Sequence, residues 1–129
     1  MMTFFLRFTG VVFASYGAYL CFNPQFLVDL LEIGASIPAK VEVRAMYGGL
    51  QLGIGLFLLW GAQRAPIQQQ IACAAMIACF AGLAGGRGVG MLIDGGDSYN
   101  LPALIYETAS LLISVFLYYK HAGKENLQN

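Results

Sequence analysis

Five ionisable side chains sit in or beside long apolar runs of this sequence: Glu42 and Arg44, Arg87 and Asp94, and Glu107. In such surroundings these residue types point to three kinds of chemistry. Opposite charges can pin one helix against another. An arginine can meet an anionic or carbonyl group of a ligand, because its planar guanidinium offers several fixed donors and is hard to deprotonate. A carboxylate in a wet cavity can form part of a proton-responsive route. Tyr47 and Gln51 follow Arg44 on the same broad helical face. They would complete the hydrogen bonding of whatever the charged groups hold.

The marks of catalysis are weak by comparison. No HExxH metal motif and no serine elbow is present. Ser110 and Ser114 follow Glu107, but the sole histidine, His121, falls at the other end of that stretch. The run "DGGDS" has neither the ordered ligands nor the terminal glutamate of a calcium loop. "GGRGVG" lacks the lysine and hydroxyl residue of a phosphate loop and no strand precedes it. Cys21, Cys73 and Cys79 share no metal or redox spacing, which leaves them as packed or lipid-facing thiols. The sequence therefore assigns no catalytic residue, cofactor or metal ligand. It marks the chain neither as an enzyme nor as something else.

Composition dictates what must position the charged groups. Of 129 residues, 58% are hydrophobic and only 11% are charged. A soluble domain carries about 25% charged residues, so this surface suits lipid better than water. Seven basic residues balance seven acidic ones, which gives nucleic acid no basic patch to bind. Four apolar stretches, around residues 8–22, 45–60, 65–86 and 101–119, can each supply the roughly 20 residues of a membrane-crossing helix. None alternates with period two. The expected fold is an all-α, four-helix transmembrane bundle, with residues 1–129 as a single integral membrane domain. The first stretch resembles a signal peptide, but no small-x-small cleavage site follows it, so it is expected to remain as a span.

Short connections join the spans. Asn23-Pro24 should end the first helix, and the segment 25–38 should lie at the interface, closed by Gly34 and Pro38. Pro66 suits the first turn of the third span. "DGGDSYN" should link the last two. Arg7, Arg64, Lys120 and Lys124 fall on one side of this layout. Asp29, Glu32, Asp94 and Asp97 fall on the other, with Lys40 as the basic exception. By the positive-inside rule both termini are expected in the cytoplasm. Trp60, Tyr118 and Tyr119 then sit at the inner interface, with His121 at the surface beside them. Small residues at four-residue spacing should form packing faces. These are Gly10, Ala14 and Ala18; Ala45, Gly49 and Gly53; and Ala74, Ala78, Gly82, Gly86 and Gly90.

Helical rise fixes the depth of each charge. Tyr47 is about 7 Å below Glu42, Arg87 about 9 Å from the end of its span near Ile93, and Glu107 about 9 Å below Leu101. Arg87 and Glu107 thus share a depth, and Glu107 should avoid lipid by pairing with Arg87, or with Arg44 second. Tyr47, Tyr106 or Gln51 would satisfy the atoms left over. Glu42, Arg44, Tyr47, Gln51, Arg87, Asp94 and Glu107 make one expected polar cluster in the outer half of the membrane. Its role is open among three readings: structural, binding a small amphipathic or anionic ligand, or meeting a second copy or another membrane protein.

The stretches "VEVRAMYGGLQLGIGLFLL", "LAGGRGVGMLIDG" and "YETASLL" resemble the bacterial membrane proteins grouped as domain of unknown function 4345. The resemblance runs over nearly the entire chain. Glu42, Arg44, Tyr47, Gly48, Gly49 and Gly53 carry it in the second span, Arg87, Gly90, Asp94 and Gly95 in the third, and Glu107 in the fourth. It implies a four-helix protein of the bacterial inner membrane and brings no established reaction.

Overall fold

The computed structural model describes residues 1–96 and 98–125, the side chains of 122–125 excepted. Asp97, and the side chain of Lys124, therefore lie outside the described residues. The chain is all-α: helix α1 spans Met2–Phe22, the short α2 Pro24–Leu30, α3 Ile37–Gly61, α4 Pro66–Asp94 and α5 Asn100–Glu125. Apart from α2, each helix is long and apolar enough to cross a membrane, as expected of a membrane bundle. Two compact units divide the chain, Thr3–Arg64 and Ala65–Asn129, the latter with the first two residues.

In the first unit, α1 ends where Asn23-Pro24 predicts, and Pro24 opens α2. Pro38 does not close the interfacial segment. It sits in the first turn of α3, where a proline loses no hydrogen bond, behind the N-cap Ser36, whose hydroxyl accepts from the Ala39 amide at 3.3 Å. The turn before it needs two left-handed residues, Glu32 at φ 54° and Gly34 at φ 75°. The second span therefore begins well before residue 45, where its apolar run starts, and takes in Glu42 and Arg44. They lie inside a continuous helix, and Val43–Gly49 is wound as a π-helix. Leu20, Leu27, Val28 and Val43 close a small apolar knot where these pieces meet.

The helices of this unit touch through glycine. A Cβ added at Gly48 would stand 2.7 Å from the Cys21 sulfur, and one at Gly55 2.8 Å from the Ala14 Cα and the Gly10 carbonyl oxygen. One at Gly17 would stand 2.8 Å from the Gly48 carbonyl oxygen. The contact stripes are thus Gly10, Ala14, Gly17 and Cys21 on α1, and Gly48, Leu52 and Gly55 on α3. Both advance in alternating steps of four and three. The expected stripes advanced in strict fours, which drift about 40° around a helix at every step, whereas alternating fours and threes stay close to one line along it. Hence Gly10 and Ala14 are in the contact, whereas Gly53 and the expected partner Gly49 are not.

The second unit is an antiparallel hairpin of α4 and α5. Pro66 occupies the first turn of α4, as predicted. Gly95, at φ 95°, ends it. Every seventh residue meets its counterpart along the seam. Cys73 donates its thiol to the Ser114 carbonyl at 3.3 Å. Phe80 meets the Tyr106 ring edge-on at 5.9 Å between centroids, beside Glu107. Arg87 reaches Asn100 and Glu107. The buried positions of α5 are Glu107, Ser110, Ser114 and Leu117, while Ile105, Leu112, Ile113, Phe116 and Tyr119 are exposed. That polarity is inverted relative to a water-soluble helix and correct for one in lipid. Ser114 satisfies its hydroxyl on the Ser110 carbonyl at 2.7 Å, so that buried donor is not left bare. All three cysteines are free thiols.

Within their own unit Gly82 and Gly86, expected to face other helices, do not: beyond the helix's own backbone, no atom of that unit stands within 4 Å of a Cβ built at Gly82, Gly86 or Gly90. Two substitutions separate the two classes of glycine. Gly55→Ala should cost about 1–3 kcal/mol, because its methyl group overlaps α1 backbone. Gly82→Ala should be neutral or gain up to about 1 kcal/mol of helix propensity. Thermal unfolding in detergent, followed by circular dichroism, checks both.

Candidate functional site

The site is built on the hairpin. Arg87 stands two turns before the end of α4, and Glu107 and Asn100 stand two turns apart on one face of α5. The antiparallel turn brings all three together. Arg87 Nε donates to Glu107 Oε2 at 2.9 Å and Nη2 to Oε1 at 2.8 Å, a bidentate pair. Nη1 donates to the Asn100 side-chain oxygen at 2.6 Å. The Glu107 side chain is 7% exposed and that of Arg87 22%, so both charges are held away from solvent while Arg87 keeps an accessible edge. The bidentate fork fixes orientation as well as distance, and it neutralises both charges in a place where a lone one would be costly.

That edge of Arg87 opens on a groove of about 580 Å³. Its floor is glycine, from Gly82, Gly86 and Gly90, and Leu83 and Met91 flank it. Asp94 and Asn100 stand at its far end. Asp94 is the last residue of α4, where the helix dipole is also negative.

The remaining expected residues belong to the Thr3–Arg64 unit. Arg44 donates its Nε to the Cys21 carbonyl at 3.0 Å, which satisfies a bare carbonyl at the end of α1. Glu42 and Tyr47 are exposed and Gln51 is half-buried. Arg87, Glu107 and Asp94 are thus gathered within one unit, and Glu42, Arg44, Tyr47 and Gln51 lie along one helix of the other.

Asn100 escaped the sequence reading because it was assigned to the loop, whereas it is the first residue of α5. A signal was available: Asn100 precedes Glu107 by seven residues, and that spacing returns a helix to the same face. Asn100 takes a donor of Arg87 that Glu107 leaves over.

Four apolar spans, the last two of them carrying a glycine-floored polar node, define a small multi-pass membrane protein. Residues 1–118 match the family described as domain of unknown function (DUF4345), and the chain belongs to that family. No curated protein and no solved structure matches it.

Breaking the pair should cost more than removing it. Glu107→Ala strands the guanidinium and should destabilise the hairpin by about 3 kcal/mol. The double change Arg87→Met/Glu107→Leu should recover most of that loss. A double-mutant cycle of unfolding midpoints in detergent measures the difference.

Proposed function

We propose that this protein is an interaction module of the bacterial inner membrane, and that the open glycine face of α4 docks a transmembrane helix. One observation carries the reading. A Cβ added at Gly82, Gly86 or Gly90 would meet nothing within 4 Å beyond its own helix backbone, and small residues at four-residue spacing are one of the patterns that let helix backbones approach closely in lipid. Lipid gives no hydrophobic push to such contacts, so backbone approach and dispersion are what glycine provides there. The simplest occupant is the same face of a second copy, because a two-fold axis makes one patch its own complement. The Arg87–Glu107 pair would then hold the platform rigid rather than bind the partner directly.

A second reading has its own observation: the groove carries polar groups from Arg87, Asp94 and Asn100. One arginine against Glu107 and Asp94 leaves a formal charge of −1, and the helix terminus adds to it. Of the ligand classes expected, a neutral amphipathic molecule with a carbonyl group suits this balance better than an anion.

The loop charges support an orientation with both termini in the cytoplasm. A reporter fused to either terminus should be active only on the cytoplasmic side, and activity outside would contradict the orientation. For the docking face, cross-linking in native membranes should capture a dimer. Gly86→Leu should reduce the dimer at least tenfold and leave the α4–α5 hairpin folded, since a Cβ at this position opens on the groove and meets nothing of that unit within 4 Å. Capture of monomer alone, or equal dimer from Gly86→Leu, would remove the docking reading.

A further inference from the structure

The groove beside Arg87 ends on a charge with no counter-ion. Gly82, Gly86, Gly90 and Asp94 follow one another at four-residue spacing on α4, and all of them line it. Their stripe is about 18 Å long and passes from bare glycine within the span to a carboxylate at its last residue. Arg87 is neutralised by the bidentate contact with Glu107. Asp94 is exposed and makes no hydrogen bond or ion pair with the described residues. The carbonyls that end α4 add their own negative charge there. The mouth of the groove therefore suits a cation, and the glycine trough behind it, with Leu83 and Met91 alongside, suits an apolar chain.

The lining residues select the kind of cation. A quaternary ammonium has no N–H and is held by aromatic faces. No aromatic side chain is among the described residues that line this groove. A primary ammonium carries three N–H donors, which a carboxylate accepts as charge-assisted hydrogen bonds. An anionic head would be repelled by Asp94. The depth also fits: α4 has 29 residues, about 43 Å of helix, which is the thickness of a bilayer with its head groups. Its last residue thus stands at head-group level.

We propose that this groove binds a phospholipid with a primary ammonium head, as in phosphatidylethanolamine. The ammonium donates to Asp94, and an acyl chain lies over Gly90, Gly86 and Gly82. Such a lipid is neutral overall, because its phosphate balances its ammonium, and it carries ester carbonyls. The proposal deepens the ligand reading of the groove and rests on it, since a lipid and a partner helix cannot share the same glycine.

The test uses the full chain in nanodiscs of equal phosphatidylethanolamine and phosphatidylcholine. After extraction, native mass spectrometry counts the lipids retained on the monomer. Wild type should keep phosphatidylethanolamine in preference. Asp94→Asn should lower that preference about fivefold, which is what a good exposed ion pair contributes. Glu32→Gln, at another exposed acid, should leave it unchanged. Gly86→Leu should remove one retained lipid whatever its head. Millimolar free ethanolamine should not displace the lipid, since it cannot lie over the glycine trough. A lipid count in Gly86→Leu equal to that of wild type would overturn the ligand reading itself. With that count lowered, four results would leave the reading standing and overturn this proposal: no preference in wild type, an unchanged preference in Asp94→Asn, an equal loss in Glu32→Gln, or displacement by ethanolamine.

Discussion

The hairpin depends on a charge that lipid will not accept alone. Glu107 lies within a run of apolar residues on α5, and Arg87 meets it with two parallel hydrogen bonds. Once that pair is fixed, the register of the hairpin follows. Counting back by sevens from Arg87 gives Phe80 and Cys73, and counting on from Glu107 gives Ser114. The pair need not add stability over an apolar core. What it supplies is a unique alignment, because sliding either helix by one turn would leave a carboxylate and a guanidinium without partners.

Around that alignment the usual roles of side chains are exchanged. On α5 the small or polar residues Ser110, Ser114 and Glu107 turn to the seam of the hairpin, together with Leu117 and opposite the buried Met76 and Phe80 of α4. Large apolar ones, Ile105, Leu112 and Phe116, cover its outside. In water this arrangement would expose much of what folding should bury. In lipid the outside needs no polarity, and the inside gains from close packing and from hydrogen bonds that have no water to compete with. The α1–α3 contact achieves the same closeness with glycine, through Gly10, Gly17, Gly48 and Gly55.

Much of this was legible in the residues. Apolar run lengths gave the four spans, Asn23-Pro24 and Pro66 marked two boundaries, and equal depth paired Arg87 with Glu107. Two kinds of feature were not legible. Gly49 was expected to pack and Gly48 does so, because a one-residue shift moves a position about 100° around a helix and glycine carries no polarity to say which face is inside. The π-helical turn at Val43–Gly49, whose Gly48 packs against Cys21 of α1, has no residue pattern that marks it. Asn100 was hidden by its neighbours Gly95, Gly96 and Ser98, which read as loop although the helix begins at Asn100 itself.

Burial of a small, polar seam behind a lipid-facing apolar surface can be read position by position along α5. Spin labels placed singly at positions 103, 105, 110, 112, 114 and 116, in a chain whose native cysteines are replaced, would be probed with oxygen as a lipid-soluble relaxant and a nickel chelate as a water-soluble one. Positions 105, 112 and 116 should be open to oxygen and closed to nickel. Positions 103, 110 and 114 should be shielded from both. Nickel access at 110 and 114, or oxygen access there equal to that at 112, would contradict the account.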